Sequence, residues 1–289
     1  MTNSSKQATK SYPKSHHLTD KERPTDEFKP IDLIRPGKIK PLNCYISYIK
    51  LSSSIVRLLA LVTPYIESEI LGLSRIVKKG DVCIDIGAAA GLYTLELSRL
   101  IGPKGKVLSV EPLDFARPLF SYLLGGKQQA NVTLNNIALG SEHGESIIRV
   151  PVGQHGYVTG RSFLALGASG LGSNSEFSRH QDIKVNVSTI DNLCSNEKIE
   201  RLDFIKIDIE GAELAALQGG QKYIEQFKPS ILIEIEARHL KRFGYTPNDI
   251  VNWLKKRGYT MYIWRKGWQI TDKVTLGARN YLFQAQQRS

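Results

Sequence analysis

From Gly80 onward, short β-rich runs alternate with helical stretches, and this alternation narrows the fold more than any other feature of the chain. The runs are residues 82–86, 106–110, 132–136, 204–207, 230–235, 260–264 and 280–284. Strands joined by helical crossovers run parallel, so the pattern predicts an open α/β sheet of seven mostly parallel strands with helices on both faces. Two further β-like runs, 146–150 and 183–187, fall between the third and fourth strands and predict a β insertion. A Gly- and Ser-rich stretch, 153–178, joins them; loops of this length commonly act as lids or stay disordered. Ahead of the sheet, apolar residues recur at helical spacing (Ile55, Leu58, Leu59, Val62, then Ile66, Ile70, Leu73, Ile76), with Thr63-Pro64 marking a boundary between two helices. These side chains are expected to pack as a helical cover on the sheet. The organisation read from this is a basic tail over 1–41, disordered or loosely docked, a helical cover over 42–79 and one α/β domain over 80–289.

Composition excludes several classes. The stretch 54–62 is the longest apolar one, is interrupted by Arg57 and falls well short of the roughly 20 residues a membrane-spanning helix needs. Residues 1–14 are polar and lack the apolar centre of a secretory signal. Cys44, Cys83 and Cys194 form no C-x-x-C pair, which argues against a disulfide framework or a zinc site and fits a reducing, cytoplasmic setting. The net charge of +11 is uneven: residues 238–289 carry 11 Lys/Arg against 2 Asp/Glu. Such a lobe suits an anionic partner, such as a phosphorylated or carboxylated substrate, a nucleotide-linked sugar or an acidic membrane surface. A solvated basic face without a partner explains it equally well.

The first strand runs into Asp85-Ile86-Gly87-Ala88-Ala89-Ala90-Gly91 and then a helix. A dinucleotide site seats pyrophosphate on bare backbone N–H groups with a G-x-G-x-x-G string, and neither its third glycine nor an acid-free turn is present. A carboxylate beside a glycine turn instead suits S-adenosylmethionine, which has no phosphate but carries a sulfonium and an α-ammonium. Glycines that merely allow close packing are the plain alternative. The second strand ends at Glu111-Pro112, 26 positions after Asp85, where an acid can accept hydrogen bonds from ribose hydroxyls. Asn136 and Ala138, after the third strand, are placed to meet the adenine. The densest constellation is Asp203 to Glu213, in which Asp208 follows the fourth strand and faces the transferable methyl group. Glu210 and Glu213 also suit helix capping. After the fifth strand, Glu236 is expected to reach the cleft more readily than Glu234, and His239 is a candidate base.

These strings resemble the FkbM family of methyltransferases over about 81–236: IDIGAAAGLYT at 84–94, Glu111-Pro112, Ala138-Leu139-Gly140, Thr189-Ile190-Asp191 and KIDIEGAE at 206–213. Ala89 departs from the asparagine common in the family's glycine loop. The resemblance implies a class I methyltransferase, Rossmann-like fold, S-adenosylmethionine as donor, and O-methylation of hydroxyls on sugars, glycolipids or secondary metabolites. It also implies that Asp85, Gly87 and Gly91 hold the methionine end, Glu111 the ribose, and Asp208 the methyl-transfer side; Ala88, in the same turn, is a further cofactor-binding candidate. Catalytic candidates are Asp208, Glu236 and His239. No metal ligands are assigned, and Mg²⁺, though compatible with the acids, is not favoured because Asp208 with Glu236 is a partial set. A small-molecule or glycan acceptor is expected. The alternatives are a nucleic-acid methyltransferase, suggested by Trp253, Tyr259, Tyr262, Trp264 and Trp268 in the basic lobe, and a non-catalytic module that only binds the donor. Aromatic residues on a sixth strand are more often core, and the Asn- or Asp-Pro-Pro-aromatic string of amino-group enzymes is absent, so nucleic acid is disfavoured. The sequence does not fix the oligomeric state.

Overall fold

The computed structural model describes residues 42–63, 66–114, 117–123, 130–154 and 156–285; the proposed tail, Pro64 and the last residues lie outside that set. The strands are β1 (Val82–Ile86), β2 (Lys106–Val110), β3 (Val132–Asn135), β4 (Ala138–Leu139), β5 (Gly144–Gly153), β6 (Gly156–Tyr157) and β7 (Phe163–Leu164). They continue with β8 (Arg179–Ser188), β9 (Phe204–Ile207), β10 (Ser230–Glu234), β11 (Tyr259–Trp264), β12 (Trp268–Ile270) and β13 (Asn280–Ala285). The helices are α1 (Leu42–Val62), α2 (Leu92–Ile101), α3 (Arg117–Leu123), α4 (Ile190–Asn196), α5 (Glu213–Gly219), α6 (Gln221–Phe227), α7 (Ala237–Leu240) and α8 (Pro247–Lys255).

The main sheet is α/β as expected, but it has eight strands, not seven, in the order β12-β11-β13-β10-β9-β1-β2-β3. The stretch from β3 to β10 is parallel, while β13, β11 and β12 are antiparallel. The unforeseen strand, β12, is three residues long and folds back on β11 through a turn in which Arg265 N–H donates to the Gly267 carbonyl at 2.8 Å. Three residues are too few for a period-2 pattern to register. The two β-like runs of the insertion prove longer than the sequence suggested and pair antiparallel along their whole length as β5 and β8. Ala138 and Leu139, outside the expected strands, form β4 and pair with β8, so the insertion grows directly out of the cleft wall.

The two faces of the sheet follow strand alternation. Ile84, Ile86, Leu108, Val110, Ile205, Ile207, Ile231 and Ile233 fill one layer, against α4, α5, α6 and α8. Cys83, Val107, Phe204, Leu232 and Leu282 fill the other, beneath α1, α2 and the 3₁₀ segment Ser68–Arg75. The Thr189-Ile190-Asp191 string is architectural: Thr189 Oγ1 caps α4 by accepting from Asn192 N–H at 3.0 Å. Asp191 accepts the Lys222 and Tyr223 amides at 3.1 and 3.0 Å, tying α4 to the start of α6.

The cover packs differently from expectation. Ile55, Leu58, Leu59 and Val62 are exposed, and α1 buries the face of Ser53, Val56 and Ala60 instead. The cause is polar. Glu96 on α2 is fully buried, bonds Ser53, and pairs with Arg57 at 2.9 Å and Arg99 at 2.6 Å, which holds the Ser53–Arg57 face inward. A buried charge left without such partners costs several kcal/mol, about what burying two leucines contributes, so the anchor overrides apolar periodicity.

Candidate active site

A cleft of ≈ 300 Å³ opens at the carboxyl ends of β1, β2, β9 and β10, where ligands of open α/β sheets bind. Its floor is the glycine turn. Gly87 has φ +78°, and a Cβ there would lie 1.9 Å from the Asp208 carbonyl oxygen, so only glycine lets the ends of β1 and β9 approach. Its N–H and that of Ala88 both donate to the Val110 carbonyl, at 3.0 and 3.1 Å. Gly91 caps α2 at φ +83° and abuts the Phe120 ring.

On one side of the cleft stands Glu111. Its Oε2 accepts from Ala89 N–H and its Oε1 from Leu113 N–H, both at 2.9 Å, which fixes the carboxylate and leaves further lone pairs for a diol. Burial pushes its pKa up, against the pull of those two amides. Leu113, Ile137 and Ala138 add an apolar wall beside it. The insertion supplies Ser162, Phe163 and Leu164 on the facing wall, so the long loop foreseen in the sequence does reach the site.

The other side is acidic around one buried cation. Lys206, in the middle of β9, is 1% exposed; its Nζ lies 2.8 Å from Asn280 Oδ1, 3.3 Å from Asp208 Oδ2 and 5.0 Å over the Tyr93 ring. Burial alone would discharge this amine, but Asp208, Glu67 and Glu234 outweigh it and raise its pKa. Asp208 in turn is pushed up to about 7 by burial, with Lys206 opposing. Glu67 is held low, since Lys206 and the Tyr93 hydroxyl at 2.6 Å overcome its burial. Alternation explains the gathering: Asp85, Lys206, Glu234 and Asn280 all lie on the strand face that otherwise carries Cys83, Phe204, Leu232 and Leu282, at the strands' cleft end or beside it.

Gly87, Glu111, Ala138 and Asp208 line the cleft. Asp85 does not; it is 1% exposed, behind the turn, and accepts from Thr94 Oγ1 at 2.6 Å. Ala88 and Gly91 are likewise off the lining, and Asn136 is exposed with its amide donating to Asp114 Oδ1 at 3.1 Å. Glu236 also stays off the wall, whereas Glu234 is on it, the reverse of expectation. The chain turns into α7 at Glu236, whose carboxylate pairs with Arg238 and, at 2.9 Å, with Arg279. His239 is 2% exposed and neutral, its pKa lowered to about 4 mainly by burial. Glu213 is the brace of the β9–α5 turn, accepting the Ile209 and Gly211 amides at 3.2 and 3.0 Å. Glu67 and Lys206 were not picked out in the sequence. Glu67 sits in the cover, and Lys206 is the single charge inside an apolar strand, a signal that was present.

Burial raises the Asp85 pKa to about 6, opposed by the Thr94 hydrogen bond and Lys206. A folded-state pKa above the unfolded value of 3.8 means that the folded chain holds the extra proton between the two, so this group's contribution to stability falls as pH rises through that window. Relative to Asp85→Asn, the wild type is therefore expected to gain about 2 kcal/mol as pH drops from 7 to 4, measured by urea unfolding.

The donor set fits S-adenosylmethionine. Three carboxylates around one lysine leave a net negative wall for a sulfonium and an ammonium, Glu111 suits a ribose diol, and an apolar wall lies beside it for a purine.

The FkbM methyltransferase domain profile matches residues 85–261, more than half of the chain. No curated protein matches it. Among solved structures, it is similar to the FkbM methyltransferase of Methylobacillus flagellatus KT at 15% identity and TM-score 0.44, over 83% of this chain and 59% of that one. This chain thus spans less than two thirds of that relative. It is also similar to Aeropyrum pernix fibrillarin with natively bound S-adenosyl-L-methionine (14% identity, TM-score 0.41, 83% and 76% covered). An rRNA methylase of Streptococcus thermophilus matches at 12% identity and TM-score 0.41, over 76% and 95% of the two chains. Matched over most of its α/β core by that domain profile, the chain belongs to the FkbM methyltransferase family.

Proposed function

We propose that this methyltransferase moves the methyl group of S-adenosylmethionine to a hydroxyl oxygen of a small-molecule or glycan acceptor. One observation carries the reading: Asp208, in the acidic wall, and Phe163, from the insertion, line the same cleft, which leaves a carboxylate beside the space an acceptor would enter. When bound, the donor supplies an electrophilic methyl carbon; its S–CH₃ bond breaks with the electron pair going to sulfur as the O–CH₃ bond forms. The chain's task is alignment and proton removal. Glu111 orients the ribose, the Glu67–Asp208–Glu234 wall faces the cationic end, and a carboxylate oxygen of Asp208 takes the hydroxyl proton. Lys206 holds that carboxylate in place at 3.3 Å. Phe163, gripped by the Arg242 guanidinium 3.7 Å above its ring, presents the insertion to the acceptor.

The aromatic residues of the basic lobe support this reading over nucleic acid, because they are spent on packing. Trp264 and Trp268 meet edge to face at 5.1 Å against Gly72, Tyr259 is buried, and Arg257 covers Trp253 at 3.6 Å. The test is a screen with labelled methyl donor across nucleotide sugars, glycolipids, glycosides and RNA. Transfer to a hydroxyl compound is expected, and Phe163→Ala should then raise the acceptor KM by roughly tenfold or more while leaving donor affinity unchanged. Transfer to RNA alone would contradict the proposal.

A further inference from the structure

At the wall of the cleft, three side chains from three elements converge. Glu210 lies in the β9–α5 turn, Glu234 ends β10, and His239 sits in α7. Their ligand atoms all fall within 4.8 Å of one another. His239 Nδ1 is 3.0 Å from Glu210 Oε2 and 3.7 Å from Glu234 Oε2. Yet neither His239 nitrogen makes a hydrogen bond, and Glu210 Oε2 makes none either, although the imidazole is 2% exposed. At these distances His239 and Glu210 keep polar atoms that no hydrogen bond uses, gathered within 4.8 Å of one another and of a Glu234 oxygen. A buried imidazole without partners costs about 1–3 kcal/mol for each lost bond, so a third body there explains the arrangement. The backbone is also committed to it: Glu210 is held at φ +56°, a conformation that costs a non-glycine residue about 1 kcal/mol.

Arg238, Arg242 and Arg161 are the nearby positive charges, and the Glu210 and Glu234 carboxylates stand against them at the site. Arg242 reaches Glu210 through the backbone carbonyl at 3.1 Å, and Arg238 is engaged by Glu236. A second convergence, Glu67 with Asp208 and Glu234, already has Lys206 beside it and needs no metal.

We propose that Glu210, Glu234 and His239 form a binding site for a divalent cation at the wall of the cleft. One imidazole with two carboxylates is a mixed nitrogen and oxygen set, which favours a first-row transition ion such as Mn²⁺ over Mg²⁺ or Ca²⁺. Both glutamates line the cleft, so the ion has an open side where an acceptor oxygen can bind and become more acidic. That catalytic role rests on the hydroxyl-acceptor reading above; binding of the ion does not.

The test is titration of the full chain with Mn²⁺, following the free-ion EPR signal. One equivalent is expected to bind, with Glu210→Gln and His239→Gln each weakening it roughly tenfold or more while S-adenosylmethionine affinity and the thermal midpoint stay near wild type. Should either variant fold poorly, the wild-type Mn²⁺ complex still decides the matter, because pulsed EPR must detect a directly bound imidazole nitrogen. No binding, binding indifferent to both variants, or no nitrogen coupling would overturn the site. Mn²⁺ binding as described without transfer to any hydroxyl acceptor would overturn the acceptor reading and leave the cation site standing.

Discussion

Gly87→Ala should lose donor binding and about 3 kcal/mol of stability. The added Cβ would lie 1.9 Å from the Asp208 carbonyl oxygen, and that oxygen belongs to backbone fixed by the Asp208 N–H to Ile86 carbonyl bond at 3.0 Å. Neither partner can swing aside as a flexible side-chain tip could. The φ of +78° adds its own penalty for any residue with a Cβ. Relief requires β1 and β9 to part at the cleft end, which moves Ala89 away from Glu111 and dismantles the ribose side along with the turn. Urea unfolding and donor calorimetry measure the two losses. A variant that unfolds like the wild type would mean that the turn is looser than the geometry implies.

Lys206→Met is expected to cost about 3–5 kcal/mol at neutral pH, although methionine fills nearly the same volume. The amine is 1% exposed and is the positive charge around which Asp208, Glu67 and Glu234 gather. Without it these acids repel one another in a poorly solvated place, and the loss should shrink at acid pH as they take up protons. Adding Asp208→Asn should recover part of the loss, which a double-mutant cycle in urea reads directly. Strict additivity of the two substitutions would show that the pair does not interact.

Much of this was legible in the chain because the fold depends on local periodicity. Seven of the eight strands of the main sheet were legible as β runs, and the helices between them make the sheet parallel through β10. The glycine turn and Glu111 were also readable, since backbone conformation and strand-end position constrain residue type directly. What escaped reading depends on contacts between distant segments. α1 turns its apolar stripe outward because Glu96, 39 positions after Arg57, anchors the opposite face. Glu67 enters the site from the cover, ahead of the first strand, and no spacing rule links it to Asp208. Glu234 and Glu236 share a strand face by alternation, so only the chain's turn into α7 and two arginines decide which of them lines the cleft. Nothing in the spacing of His239, a candidate base, shows that α7 carries it into the interior beside Glu210.

The cleft beside Gly87 and Glu111 is expected to hold the methyl donor, and calorimetry of S-adenosylmethionine binding tests this most directly. The wild type should bind with 1:1 stoichiometry, and Glu111→Ala, checked for an intact fold by its thermal transition, should lose about 3 kcal/mol, roughly a hundredfold in affinity. No binding by the wild type, or equal affinity in the folded variant, would contradict it.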